Sequence, residues 1–181
     1  MPSLAPMLRL MLLRHAKSAW PAGAADHERP LAPRGREAAP LMGRYLAGEH
    51  LVPDLAIVST SKRTQETWAL VAPAFAEEVP KRDERRIYEA KTDAILAAIR
   101  STGPDVRTLL VIGHNPGFAD LATRLVGHGD RYAFARLRQK YPTAGLAVID
   151  FDVASWADVA EHGGRLDRFV TPKMIGGEDE D

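Results

Sequence analysis

Three short apolar runs constrain this chain most: Leu10-Met11-Leu12-Leu13, Ala56-Ile57-Val58 and Leu109-Leu110-Val111-Ile112, each halted by a polar cluster. A continuous run of this length, without apolar-polar alternation, suits a strand covered on both faces, as in a parallel sheet flanked by helices. Helical spacing fills the intervals. Ala38, Leu41, Met42, Tyr45 and Leu46 predict a helix over 34–46, which Pro40 should kink or deprive of a hydrogen bond, with Gly48 as its stop. Asp54 to Val58 predicts the second strand, and the hydroxyls of Ser59, Thr60 and Ser61 offer caps for a helix through Trp68, Leu70 and Val71, bounded by Pro73. A further helix runs through Ala94, Ile95, Leu96, Ala98 and Ile99, capped by Thr92 or Asp93 and ended by Gly103-Pro104. Another spans about Phe118 to Val126, and Leu146 to Phe151 and Arg165 to Val170 are the remaining predicted strands. Strands alternating with helices in this way predict an α/β fold, a three-layer αβα sandwich around a mostly parallel sheet.

A chain of 181 residues fits one domain with a substantial core. We expect that domain over 8–172, behind a loose leader at 1–7 and ahead of an acidic, disordered tail at 173–181. The absence of cysteine excludes a disulfide scaffold, a thiolate nucleophile and a Cys-ligated metal. Basic and acidic residues are equal at 24 each, and four of the acids are Glu178, Asp179, Glu180 and Asp181, so the rest carries 24 against 20. That excess is too small for a nucleic-acid partner. The apolar run near the N-terminus, Leu10 to Leu13, falls far short of a membrane span or a secretory h-region, so the expected location is cytoplasmic, with no membrane partner.

Ligands of open α/β sheets bind at the carboxyl ends of the strands. Arg14-His15-Ala16-Lys17 follows the first run, Ser59 to Thr67 with Arg63 follows the second, and Gly113-His114-Asn115-Pro116-Gly117 follows the third. Alone, Arg14-His15 is a short motif that any strand exit could carry. Three such exits in one sheet place Arg14, His15, Arg63 and His114 as partners in one site. Arginine forks match phosphate oxygens, and neutral imidazole is a nucleophile near pH 7. Phosphoryl transfer asks mainly for positioning and for positive charge around the equatorial oxygens. Two guanidiniums, with a second imidazole if protonated, supply that charge without Mg²⁺, so we expect no metal and no cofactor. Lys17 and Asn115 are candidates for a rim cation and a donor in the phosphate pocket, or ordinary loop residues.

The opening Leu12 to Ser18, Arg29-Pro30-Leu31 with Arg34-Gly35, the Ser59 to Thr67 segment and the Gly113-His114-Asn115-Pro116 turn together resemble the histidine phosphatase superfamily. Within it they resemble the SixA-like phosphohistidine phosphatase branch, over roughly residues 8 to 172. The resemblance implies a phosphoglycerate mutase-like fold and a metal-independent phosphatase that works through a phosphohistidine intermediate. It assigns His15 as nucleophile, Arg14 and Arg63 as clamps on the phosphoryl oxygens, and His114 as the second histidine at the phosphate. Where the wider family often has Gly after the Arg-His pair, this chain has Ala16, as the SixA-like branch does.

Many superfamily phosphatases protonate an alkoxide leaving group with a carboxylate. The candidates for that acid are Glu84 and Glu89, but Arg82, Arg85 and Arg86 beside them also suit a solvated charge cluster. A weak or missing acid fits a phosphohistidine substrate, whose imidazole can leave from an N-protonated phosphoramidate. His27, His50, His128 and His162 lack ligand spacing and read as surface histidines. Trp20 is placed to wall the pocket or to pack, whereas Trp68 and Trp156 read as packing residues.

Three functions therefore compete. One is dephosphorylation of a phosphorylated histidine-containing protein, such as a phosphotransfer domain. Another is hydrolysis of a small phosphate ester, a sugar phosphate or nucleotide. The last is a silent module that binds phosphorylated partners.

Overall fold

A computed structural model describes residues 7–181. The leader expected at 1–7 lies outside the described residues except for Met7, which opens the first strand. In chain order the elements are β1 (Met7–Arg14), α1 (Pro33–Gly48), β2 (Leu55–Ser59), α2 (Lys62–Val71), β3 (Lys81–Glu84) and α3 (Thr92–Arg100). They continue with β4 (Thr108–Gly113), α4 (Gly117–Leu125), β5 (Val126–Gly129), α5 (Arg131–Gln139), β6 (Leu146–Asp152) and β7 (Gly164–Val170). No helix among the described residues is long and apolar enough to cross a membrane.

The strands form one seven-stranded sheet in the order β3-β2-β4-β1-β6-β7-β5. β1, β2, β3 and β4 pair in parallel, β6 runs antiparallel to both β1 and β7, and β5 is parallel to β7. The α/β expectation of a mostly parallel sheet is met. β1 lies near the centre, which explains its unbroken apolar run: Leu10, Met11, Leu12 and Leu13 are all fully buried. Alternate residues feed two cores. Leu8, Leu10 and Leu12 pack with α3, α4 and α5, whereas Met11 and Leu13 pack with α1 and α2, giving three layers. The one charge inside β1, Arg9, is met across the β1–β6 pair by Asp150 at 2.7 and 2.9 Å.

Several local expectations are corrected. Lys81 to Glu84 is not a free charge cluster but the edge strand β3, whose charged side chains alternate between exposed and half-buried. β5 and α5 carry too little apolar patterning to be read beforehand: α5 buries only Ala133 and Leu137 and starts where the Asp130 carboxylate accepts from Ala133 N at 3.0 Å. α4 ends at Leu125 because Val126 turns extended into β5. α3 starts after Lys91, with no side-chain cap, so Thr92 and Asp93 lie inside its first turn. α1 starts at Pro33 and continues past Pro40, whose missing N–H leaves it one hydrogen bond short, as expected. Beyond β7, Pro172–Ile175 forms a 3₁₀ turn, and Glu178, Glu180 and Asp181 pair with basic side chains on the body of the domain.

Candidate active site

The carboxyl ends of β1, β2 and β4 lie side by side, with Arg14 registered on Gly113 and Val58 on Ile112. The residues that follow these strands therefore converge. Arg14, His15, Arg63 and His114 share a pocket of about 220 Å³ with Lys17, Trp20, Glu89 and Asn115. The backbone at its centre is held on both sides. His15 N donates to Gly113 O at 3.0 Å, and Ala144 N donates to the carbonyls of Arg14 and His15 at 3.0 Å each. Ala16 N donates to Thr67 Oγ1 at 3.1 Å, which in turn donates to Arg63 O at 2.7 Å, tying the loop after β1 to α2.

His15 is 7% exposed. Its Nδ1 lies 2.7 Å from the Ala16 carbonyl, which can only accept, so Nδ1 carries the proton. The lone pair is then on Nε2. Burial pushes the imidazole well below its usual pKa, and His114, Arg14 and Arg63 push in the same direction against the Ala16 hydrogen bond. His15 is thus a neutral imidazole in a fixed tautomer.

His114 is also buried, with its ring centroid 5.4 Å from that of His15. Its Nε2 is hydrogen-bonded to Ser59 Oγ at 2.8 Å, and burial followed by Arg63 takes its pKa down to about 3. The pocket therefore holds a neutral second imidazole, and the positive charge comes from the arginines. Arg14 Nη1 donates to Tyr141 O at 2.9 Å. Arg63 reaches Asp26 twice, Nη1 to the main-chain oxygen at 2.8 Å and Nη2 to Oδ2 at 3.1 Å. Among the described residues, five buried side-chain polar atoms lack a partner, and three of them are Arg14 Nε, Arg63 Nε and His114 Nδ1. Buried polar groups are normally satisfied, so three such nitrogens in one pocket suit a ligand rich in acceptors.

Asp26, on a 3₁₀ turn at Asp26–Glu28, was missed by sequence reading. Its carboxylate accepts from Arg63, from Arg29 Nη1 at 3.0 Å and from the Tyr88 hydroxyl. The Tyr88 hydrogen bond and the two arginines hold Asp26 well below the usual carboxylate range, while burial and Asp26 push the Tyr88 phenol up to about 12. Tyr88 also packs edge-on against His114, with centroids 5.4 Å apart. Arg29 lies 3.2 Å over the ring of Trp20 and donates to Ser18 Oγ at 2.6 Å. Trp20, 77% exposed, is accordingly a wall at the mouth, while Trp68 and Trp156 are buried in the core.

The remaining candidates separate. The Asn115 amide donates to Tyr141 O at 2.9 Å and its oxygen accepts from Ala119 N at 3.1 Å, so it anchors a carbonyl and the start of α4. Lys17 lies at the rim. Glu89 lines the pocket, whereas Glu84 accepts from Arg86 at 2.8 and 3.0 Å and is held below its usual range by that arginine. His50, His128 and His162 are exposed, but His27 is half-buried, bonded to Thr60 Oγ1 at 3.0 Å and set against Tyr88. Position in a Gly- and Pro-rich loop hid both Asp26 and His27; the Asp26-x-x-Arg29 spacing was the available signal.

Residues 10–93 match the family model of the Histidine phosphatase superfamily (branch 1). An uncharacterized protein of Mycobacterium tuberculosis is 37% identical over 163 residues, covering 89% of this chain and 100% of that one. Among solved structures, the proposed phosphohistidine phosphatase SixA of Nakamurella multipartitia superposes with a TM-score of 0.81 at 29% identity, over 92% of this chain and 96% of that one. The proposed SixA of Agrobacterium tumefaciens gives 0.77 at 30% identity, over 91% and 98%.

Proposed function

Because the chain belongs to the histidine phosphatase superfamily, we propose that it removes the phosphoryl group from a phosphorylated histidine of a protein through a covalent intermediate on His15. The observation that carries this reading is the tautomer of His15: Nδ1–H is held by Ala16 O, and Nε2 keeps a lone pair in the pocket that His15 shares with Arg14 and Arg63. Nε2 attacks phosphorus, and the P–N bond of the substrate breaks in line. The substrate imidazole departs with the proton already on its nitrogen, so it needs no enzyme acid. Arg14 and Arg63 hold the equatorial oxygens, and the unpartnered Nδ1 of His114 stands ready as a further contact. Water then attacks phosphorus, the bond to His15 Nε2 breaks, and inorganic phosphate leaves.

Two features support a protein-borne phosphoryl group over a sugar phosphate or nucleotide. A pocket of about 220 Å³ is smaller than the roughly 300–1,000 Å³ of sites that engulf small molecules. Asp26 accepts from three donor side chains and Glu84 is paired with Arg86, so among the carboxylates near the site only Glu89 and Asp181 line the pocket. An alkoxide leaving group would have to draw its proton from there.

The test uses both substrate types. His15→Ala should abolish hydrolysis and the acid-labile, base-stable labelling of the enzyme; turnover that persists in this variant rules the mechanism out. Glu89→Gln should leave hydrolysis of a phosphorylated phosphotransfer domain within about threefold of wild type while lowering ester hydrolysis by about a hundredfold or more, the scale of general acid catalysis. A wild-type preference for the small ester would instead establish the small-molecule reading, and tight binding without turnover the silent module.

A further inference from the structure

Three acids of segment 178–181, Glu178, Glu180 and Asp181, meet basic side chains, of which Lys17 lines the phosphate pocket, whereas Asp179 accepts from Lys173 N at 2.8 Å. Lys17 Nζ donates to the main-chain oxygen of Asp181 at 3.3 Å, and Lys140 Nζ is 2.7 Å from the Asp181 carboxylate. Arg34 pairs with Glu180 and, at 3.3 Å, with Glu178. Thr143 N donates to Glu180 O at 2.9 Å. These basic residues come from the loop after β1, the first turn of α1 and the end of α5, so only the fold assembles the rim. Asp181 itself lines the same pocket as Arg14, His15 and Arg63.

We propose that segment Glu178–Asp181 is an acidic strap that occupies the basic rim of the phosphate pocket and competes there with anionic substrates. This rests on the reading of the pocket as a phosphoryl site. The strap is built to detach. A cleft of about 540 Å³, lined by Arg34, Leu41, Thr143 and Gly177 and by Glu178 and Glu180 themselves, borders it. The Glu178 and Asp181 side chains are 73% and 87% exposed while Glu180, at 22%, is largely covered, so charge holds the two outer acids down. Gly176, with φ at +101°, supplies a left-handed turn at its base that other residues rarely adopt. Lys140 first, with Lys17 and Arg14, holds the Asp181 carboxyl below its usual range, so it stays an anion near neutral pH. An incoming phosphoryl group meets Lys17 and Arg14, the pocket cations that also act on Asp181, and a protein carrying an acidic surface beside its phosphohistidine would displace the strap most readily.

The experiment compares the full chain with a variant carrying Glu178→Gln, Asp179→Asn, Glu180→Gln and Asp181→Asn, using inorganic phosphate binding by calorimetry so that turnover is not needed. Exposed ion pairs are individually weak, so neutralising the strap should tighten phosphate binding by about threefold to tenfold at low salt. The difference should vanish near about 0.5 M salt, where surface charges are screened. Phosphate binding in the variant that stays within twofold of wild type at low salt, or weakens, overturns the strap. Should neither protein bind phosphate at all, the phosphoryl pocket itself fails, and the strap with it.

Discussion

At Asp26 three donors converge on one carboxylate, and one of them belongs to Arg63, a clamp of the proposed mechanism. The carboxylate cancels part of the local positive charge, yet it fixes the plane of a guanidinium that has to meet a phosphoryl group. These effects have opposite signatures. Asp26→Asn removes a negative charge, so inorganic phosphate should bind as tightly or more tightly, while loss of Arg63 alignment should lower kcat by about tenfold to a hundredfold, as small misplacements do. Measured in parallel, unchanged kcat would reduce Asp26 to a charge screen. Arg14, His15, Arg63 and His114 were legible because each stands at or just past a strand exit. Asp26 and Tyr88 were not, since what unites them with Arg63 is a loop folding onto the start of α2. Of the three hydroxyls that offer caps for α2, Ser61 is the cap, its side chain accepting from Thr64 N, while the Ser59 hydroxyl bonds His114.

Among the elements, α1 shows how packing near the site overrides helix propensity. Gly35 sits in its first turn, and a Cβ there would stand 2.1 Å from the carbonyl oxygen of Lys17. That carbonyl also accepts from Ala32 N at 2.8 Å, so the helix start is pressed against the loop that follows His15. Gly48, at the other end, has nothing within 4 Å of its Cβ position. Alanine is favoured over glycine in helices, so Gly48→Ala should stabilise the protein by about 0.5–1 kcal/mol. Gly35→Ala should destabilise it by about 1–3 kcal/mol, as overpacking does, and lower turnover by shifting the loop. Denaturation midpoints of the two variants check this, and a shared sign would refute it. The elements that sequence pattern revealed, β1, β2, β4, β6, β7 and the helices α1 to α4, are those buried deeply enough to need continuous or periodic apolar residues. β3 and α5 escaped because an edge strand and a mostly exposed helix can be built from charged residues.

For the whole molecule, the sheet order that brings three strand exits together also buries two imidazoles among arginines. Sequence pattern supplied the layers and the alternation of elements; the central place of β1 and the antiparallel β6 and β7 depend on pairings between distant segments that no local pattern encodes. Burial holds His15 well below 6.5, and His114 at about 3, so both are neutral in the folded state near pH 7. Above about pH 6.5 the unfolded chain carries neutral imidazoles as well, and nothing is lost. As pH falls from about 6.5 towards 3, the unfolded state binds protons that the folded state refuses, so stability declines with a limiting slope of about 1.4 kcal/mol per pH unit for each imidazole. Asp26, held low by Tyr88 and the arginines, adds to the loss only once pH falls into the ordinary carboxylate range and below it. Urea unfolding across pH 7 to 4 should therefore show a decline that begins before the carboxylates titrate, and His114→Gln should flatten it. A free energy of unfolding that stays level between pH 7 and 5 would mean that the two histidines accept protons in the folded state, and the neutral nucleophile at His15 would go with them.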